Sequence, residues 1–206
     1  PWCFIGKRRL ELAIKMANDD PQFKDVDFNV IWRPFQLNAA APKGKGVNKM
    51  EMYLEKFGKS RMDTMLPQMK ETGLKEGINF SYGGYTGNTF DSHRLIWKAK
   101  EVGGIDLQDK VVESLFKAYF EEEKSMGDLS VLIDCANRVE GMMDDVSVKE
   151  FLEESNNGKN ETLKELEEYR RVYGVSGVPF FIFNDKYSLS GAQPPDEILS
   201  VFKKLV

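Results

Sequence analysis

Residues 174–181 read Gly174-Val175-Ser176-Gly177-Val178-Pro179-Phe180-Phe181. The proline stands at the start of a hydrophobic strand predicted over residues 179–183. Proline cannot donate a hydrogen bond to a β ladder, so Pro179 predicts an edge strand, a bulge or a cis turn. The pattern then predicts a turn at Asn184-Asp185, a partner strand over 187–190, and a last helix beginning near Pro195.

At the other end of the chain, residues 2–17 predict a helix. Its small and apolar residues recur at spacings of three and four, and Pro1 suits a first helical turn. Cys3 falls in that turn, where unpaired N–H groups and the helix dipole favour a thiolate over a thiol. The alternative is an inert cysteine that packs as a small hydrophobic residue.

Alternating polarity predicts a strand over Val26–Arg33, which Pro34 ends. From residue 48 onward the sequence is predicted to be mainly helical, and most of these helices begin at polar capping residues. The predicted helices are Asn48–Phe57, Ser60–Thr72, Asn88–Val102, Asp106–Ser125, Asp128–Gly141, Asp144–Ser155 and Lys159–Tyr173.

Composition excludes several classes of protein. The net charge is −4 with acids and bases interspersed, which argues against a nucleic-acid partner. No apolar run approaches the roughly 20 residues of a membrane span, so no membrane partner is expected. Two cysteines and one histidine predict neither a disulfide-stapled domain nor a zinc site. A reducing compartment, the cytoplasm, is the expectation, which a targeting segment before Pro1 would change.

Several separate motifs resemble DsbA-like thioredoxin-fold oxidoreductases, specifically the FrnE-type branch, over nearly the whole chain. Residues 1–11, Pro-Trp-Cys-Phe-Ile-Gly-Lys-Arg-Arg-Leu-Glu, look like the active-site helix, and 174–181 look like the cis-proline loop. Asn88-Thr89 with Ser92-His93-Arg94-Leu95 resembles a helical motif of that family's inserted domain, and Gly191-Ala192-Gln193 also fits.

The resemblance implies an α/β fold, a thioredoxin fold with a large all-helical insertion. Residues 1–40 and 158–206 would form the thioredoxin-like domain, and residues 41–157 the inserted helical domain. A parallel β–α–β unit around the first helix needs a strand on each side. We therefore expect a first strand upstream of Pro1, ending in the first cysteine of a Cys-Pro-Trp-Cys motif.

On this resemblance Cys3 is the resolving thiol, which attacks the mixed disulfide and releases the reduced product. Pro1 and Trp2 would lie between the two sulfurs and set the reduction potential. Pro179, held cis, would pack against the sulfurs and leave the Val178 backbone free to pair with an extended substrate. His93 is expected at the interface between insertion and thioredoxin-like domain, either as a packed histidine or facing the cleft.

Four further expectations concern residues outside these motifs. Cys135, amid apolar residues in a predicted helix, is expected to be buried and structural. The Lys7-Arg8-Arg9 run is expected to be a solvated helix face, or else to attract the carboxylates of glutathione. The methionines at 50, 52, 62, 65 and 69 are expected in the core, and the alternative is a Met-rich surface that holds varied apolar ligands. No metal and no tightly bound cofactor is predicted; glutathione is a candidate co-substrate.

Three functions remain open from the sequence. The first is a thiol–disulfide oxidoreductase, close to protein disulfide isomerase, acting on protein or small-molecule disulfides. The second is a glutathione-dependent enzyme like kappa-class glutathione transferases or 2-hydroxychromene-2-carboxylate isomerases, which share the architecture. The third is a redox-inactive, peptide-binding chaperone. The residue before Pro1 discriminates best among them.

Overall fold

The computed structural model describes all residues, 1–206, and helices dominate it. The helices are α1 (Trp2–Asn18), α2 (Lys49–Phe57), α3 (Lys59–Lys75), α4 (Phe90–Phe120), α5 (Leu129–Asn137), α6 (Asp145–Glu153), α7 (Lys159–Val172) and α8 (Pro195–Phe202), with a 3-10 turn at Pro21–Phe23. The strands are β1 (Val47–Asn48), β2 (Tyr85–Thr86), β3 (Phe180–Phe183) and β4 (Tyr187–Ser190). Antiparallel pairs form between β1 and β2 and between β3 and β4.

Side-chain caps start several of these helices where the sequence predicted them. Asn48 accepts a hydrogen bond from the Glu51 backbone, and Asp128 accepts one from Ser130. The helices predicted over Asn88–Val102 and Asp106–Ser125 are instead one element, α4. It kinks at Gly103 and Gly104, where Gly104 has a φ of 73° that a side chain would strain.

Three apolar clusters hold the molecule together. The largest lies among α4, α5 and α6, inside the middle of the chain. A second joins α1 and α8 to β3, and so brings the two ends of the chain together. The third packs Phe4 and Ile5 of α1 against residues of the middle region such as Met69 and Ile78. Because this third cluster includes α1, it fixes the middle region beside Cys3.

The strand predicted over Val26–Arg33 does not form a ladder, which corrects the sequence-based prediction. The exposure of its side chains still alternates residue by residue through Trp32, as a half-buried strand requires. The Trp32 N–H and C=O both bond to the Gln108 side chain, at 2.9 and 3.1 Å. At Trp32, one edge of this backbone segment is therefore bonded to a side chain, and no strand pairs with the segment on either edge.

A cavity of about 1730 Å³ separates this segment from β3. On β3, the Pro179 carbonyl accepts a bond from Gly191 at 2.8 Å, so that peptide faces β4. Because peptide groups alternate along a strand, those of Phe180 and Ile182 face the cavity. The backbone edges of residues 26–33 and of β3 therefore border the same open slot. The alternating polarity of residues 26–33 could not reveal that no strand pairs with them. None of the helices combines the length and apolar character that crossing a bilayer requires.

Candidate active site

The start of α1 packs directly against the proline loop. Cys3 lies in the first turn, and Gly6, three residues later, shares its face of the helix. A β-carbon on Gly6 would lie 3.0 Å from Cγ of Pro179 and 3.2 Å from the Phe181 ring. Glycine therefore allows the close approach, and it brings the Cys3 face of α1 to the loop. The Val178–Pro179 peptide bond is cis.

Burial controls the chemistry of Cys3. It raises the pKa of the thiol above its ordinary value. The desolvation of Cys3 thus opposes the effect of the helix terminus, which favours a thiolate, and Cys3 is a protonated thiol at neutral pH. A protonated, partly buried thiol suits a resolving group better than an attacking one.

The Lys7-Arg8-Arg9 run is not a solvated face. Lys7 is only 4% exposed and forms ion pairs with Glu11 and with Asp109, whose Oδ2 lies 3.0 Å from Nζ. These bonds outweigh the burial of the ammonium and raise its pKa. Asp109 also accepts a hydrogen bond from the Trp32 indole at 2.8 Å.

The two arginines are paired as well. Arg8 makes a two-point contact with Glu113, and Arg9 bonds to Glu76 at 2.6 Å and to the Ala192 carbonyl. Each cation of the run thus already has a carboxylate partner. The run holds α1 against α4 and the end of α3, and it leaves no free cation there for the carboxylates of glutathione.

His93 connects the two parts of the chain. Its Nε2 donates to the Phe35 carbonyl at 3.0 Å, and its ring lines the cavity. Burial lowers the pKa of the ring to about 4, so His93 is neutral at physiological pH. It therefore holds the connection after residues 26–33 in place and carries no charge into the cleft.

The other residues of this motif, Asn88 before α4 and Arg94 within it, are structural. Asn88 donates to the carbonyls of Ala39 and Ala41, which fixes the same connection. Arg94 is buried and donates to Asp91 and to four backbone carbonyls between residues 151 and 157. The motif thus fastens α4 to the connection on one side and to the end of α6 on the other.

Cys135 is confirmed as a structural residue. It is fully buried, its Sγ lies 3.9 Å from the Ser114 carbonyl, and burial raises the pKa of its thiol to about 11. Among the methionines, Met62 and Met69 are buried, whereas Met52 and Met65 are half-buried and line the cavity beside Cys3. The prediction that they form the core is therefore correct only in part.

Sequence reasoning missed four residues beside the cleft: Lys49, Tyr53, Tyr82 and Tyr119, which we call the tyrosine corner. Tyr53, Tyr82 and Tyr119 line the same cavity as Pro1 and Cys3. Lys49 lies behind them, only 2% exposed. A lysine directly after the Asn48 cap, one helical turn before an aromatic residue, was the available signal. Tyr82 lies in the loop between α3 and β2, where no sequence pattern indicates a functional role.

Known proteins are similar to this chain in sequence and in fold. The family model described as a DSBA-like thioredoxin domain matches residues 1–203. An uncharacterized protein of Bacillus subtilis (strain 168), YwbO, is 29% identical over 212 residues, covering 100% of this chain and 90% of its own.

A solved structure described as a probable DsbA oxidoreductase, SCO1869 from Streptomyces coelicolor, superposes with a TM-score of 0.85 at 26% identity. The match covers 99% of this chain and 84% of that one. The helical middle region, the small sheets and the Cys3 helix beside Pro179 are consistent with a thioredoxin fold carrying a helical insertion. The chain belongs to the DsbA-like thioredoxin domain family.

Proposed function

We propose that this protein is a thiol–disulfide oxidoreductase whose resolving thiol is Cys3. The observation that carries the proposal is the packing of the Cys3 face of α1, through Gly6, against Pro179. This packing puts a partly buried thiol at the helix start beside an irregular backbone that can pair with an extended substrate. The family membership, with a probable DsbA oxidoreductase among its structural relatives, supports the same function.

We also propose that a β-strand of the same polypeptide fills the slot between residues 26–33 and β3 and leads into Pro1. The two unpaired backbone edges on either side of the cavity support this, because a central strand would satisfy both. A cysteine at its end would complete a Cys-Pro-Trp-Cys motif. Its thiol would be exposed at the amino end of α1, where the helix field lowers the pKa of a thiol.

The chemistry follows from these positions. The attacking thiolate bonds to one sulfur of a substrate disulfide, and the other sulfur leaves as a thiolate that takes up a proton. Cys3 then loses its proton and attacks the mixed disulfide, so that the second substrate sulfur leaves. The enzyme ends with a disulfide to Cys3, and the substrate has gained two electrons and two protons. Running the steps backward oxidises a dithiol substrate.

The test is Cys3→Ser in the polypeptide that includes the proposed strand and cysteine. That variant should accumulate mixed disulfides with a disulfide-bonded substrate such as insulin, because no second thiol is present to resolve the adduct. Cys135→Ser is the matched control and should behave like the parent protein. If neither variant traps an adduct and the parent does not reduce insulin with a thiol reductant, the oxidoreductase proposal is wrong.

A further inference from the structure

The tyrosine corner is a connected cluster at one end of the cleft. Lys49 and Tyr53 lie one turn apart on the same face of α2. The Lys49 Nζ donates to the Tyr119 carbonyl at 2.9 Å and lies 4.0 Å from the centre of that ring. The rings of Tyr53 and Tyr82 are 6.1 Å apart. The four side chains therefore meet in one place.

Two hydroxyls of this cluster are unused. The Tyr82 hydroxyl is the one buried side-chain polar atom in the chain without a hydrogen-bond partner, on a residue only 8% exposed. Tyr53 is half-buried, and burial raises the pKa of its hydroxyl, so both remain protonated donors at neutral pH. A buried hydroxyl without a partner is destabilising, so binding of an acceptor to it from the cavity is favoured.

Lys49 is an unusual cation. Burial lowers the pKa of its ammonium to about 8, while the charge of Glu123 opposes that shift. It makes no ion pair within 4.0 Å, in contrast to Lys7, Arg8 and Arg9, which all have carboxylate partners. A buried charge without a counter-ion is costly, so an anion brought close to it would be stabilised.

The three tyrosines of the cluster share the cleft with the start of α1. The hydroxyl-bearing residues and Cys3 line one continuous cavity. A small molecule with its sulfur at Cys3 can therefore direct another group toward the tyrosines.

We propose that the tyrosine corner is a subsite for a carboxylate carried by a small thiol or disulfide. The hydroxyls of Tyr53 and Tyr82 donate to the carboxylate oxygens, and Lys49 supplies the balancing charge from behind the Tyr119 ring. The sulfur chemistry of the ligand rests on the proposed oxidoreductase function. The carboxylate requirement rests on the orphan hydroxyl and the unpaired ammonium alone.

The test is calorimetric titration of the chain with S-methylglutathione, which has both carboxylates and no free thiol. We expect saturable binding, at least about tenfold weaker for the diester of the same compound, since a hydrogen bond to a charged group contributes roughly 1.5–3 kcal/mol. Lys49→Met and Tyr82→Phe should each weaken binding by about tenfold. Lys43→Met is the control: it removes an exposed lysine that precedes β1 and should leave binding unchanged. Because the probe has no thiol, this result is independent of whether the protein reduces disulfides.

Thermal unfolding of the same variants separates a binding role from a structural one. Tyr82→Phe removes a hydroxyl that has no partner, so it should leave the unfolding temperature unchanged or higher. Lys49→Met also loses the bond to the Tyr119 carbonyl, so it should lower the unfolding temperature modestly. Absence of binding, equal affinity for the diester, or full affinity of Lys49→Met would overturn the proposal. A clear loss of stability in Tyr82→Phe, with unchanged binding, would show that its hydroxyl serves the fold.

Discussion

The two cysteines of the chain lie in opposite kinds of surroundings. Cys135 is enclosed by the largest apolar cluster, where α4, α5 and α6 close on one another. Cys3 lies at the start of α1, beside a cavity bordered by two backbone edges that have no partner strand. Burial raises the pKa of both thiols. Access to the cavity, rather than intrinsic acidity, therefore distinguishes Cys3, the proposed resolving thiol, from the structural Cys135.

Selective alkylation measures this difference directly and should show the largest effect. With a small reagent at mildly alkaline pH, Cys3 should react at least about 1000-fold faster than Cys135, because Cys135 reacts only when its core opens. Peptide mass spectrometry of timed samples gives both rates. Urea above the unfolding midpoint is the control, since the two rates should converge there. Comparable rates in the native protein would show that Cys3 is no more accessible than Cys135.

The enclosed region should also depend on one buried cation. Arg94→Leu removes the donor to Asp91 and to four carbonyls near the end of α6, and we expect it to lower the free energy of unfolding by about 3 kcal/mol. Arg138 is the matched control, because its pairs with Glu122 and Asp134 are on the surface. Arg138→Leu should cost less than about 1 kcal/mol. Urea titration followed by circular dichroism compares the two.

Matched truncations test whether the Cys3 region is as open as the cavity indicates. Leu95 is fully enclosed in the cluster around Cys135, whereas Leu10 of α1 lines the cavity. Leu95→Ala should lower the free energy of unfolding by about 3 kcal/mol and Leu10→Ala by about 1 kcal/mol, because less packing is lost at the cavity. Equal losses would mean that the cavity is closed in solution. If the proposed strand is present, the loss at Leu10 should rise toward that at Leu95.

The sequence allowed prediction of the local elements because their signals are local. Asn48 and Asp128 cap the helices that follow them, and the pattern of 179–190 indicated the β3–β4 hairpin. Gly6 is part of the motif that placed α1 beside Pro179. These features depend on a few neighbouring residues, so capping and turn rules suffice to find them.

Contacts between distant residues were not predictable in the same way. Lys7 is buried by Asp109, 102 residues away, so its own helix pattern could only indicate a solvated face. Alternation over residues 26–33 showed which side chains face inward but not whether a backbone partner exists. The tyrosine corner combines α2, the loop before β2 and the end of α4, and no spacing in the sequence links them.

The last prediction concerns His93, which joins the two parts of the chain through its bond to Phe35. Its pKa is about 4 in the folded protein, below the ordinary 6.5, so the unfolded chain binds the proton more readily. The stability from neutral His93 is therefore complete above pH 6.5 and is lost as the pH falls toward 4. We expect the wild type to lose about 2 kcal/mol more than His93→Gln between pH 7 and pH 4.5. The glutamine can still donate to the Phe35 carbonyl but cannot titrate.

Because His93 is the single histidine, its imidazole proton resonances report the pKa without assignment. A midpoint near 6.5 would show that the Phe35 contact is open in solution and that the connection beside the cavity moves freely.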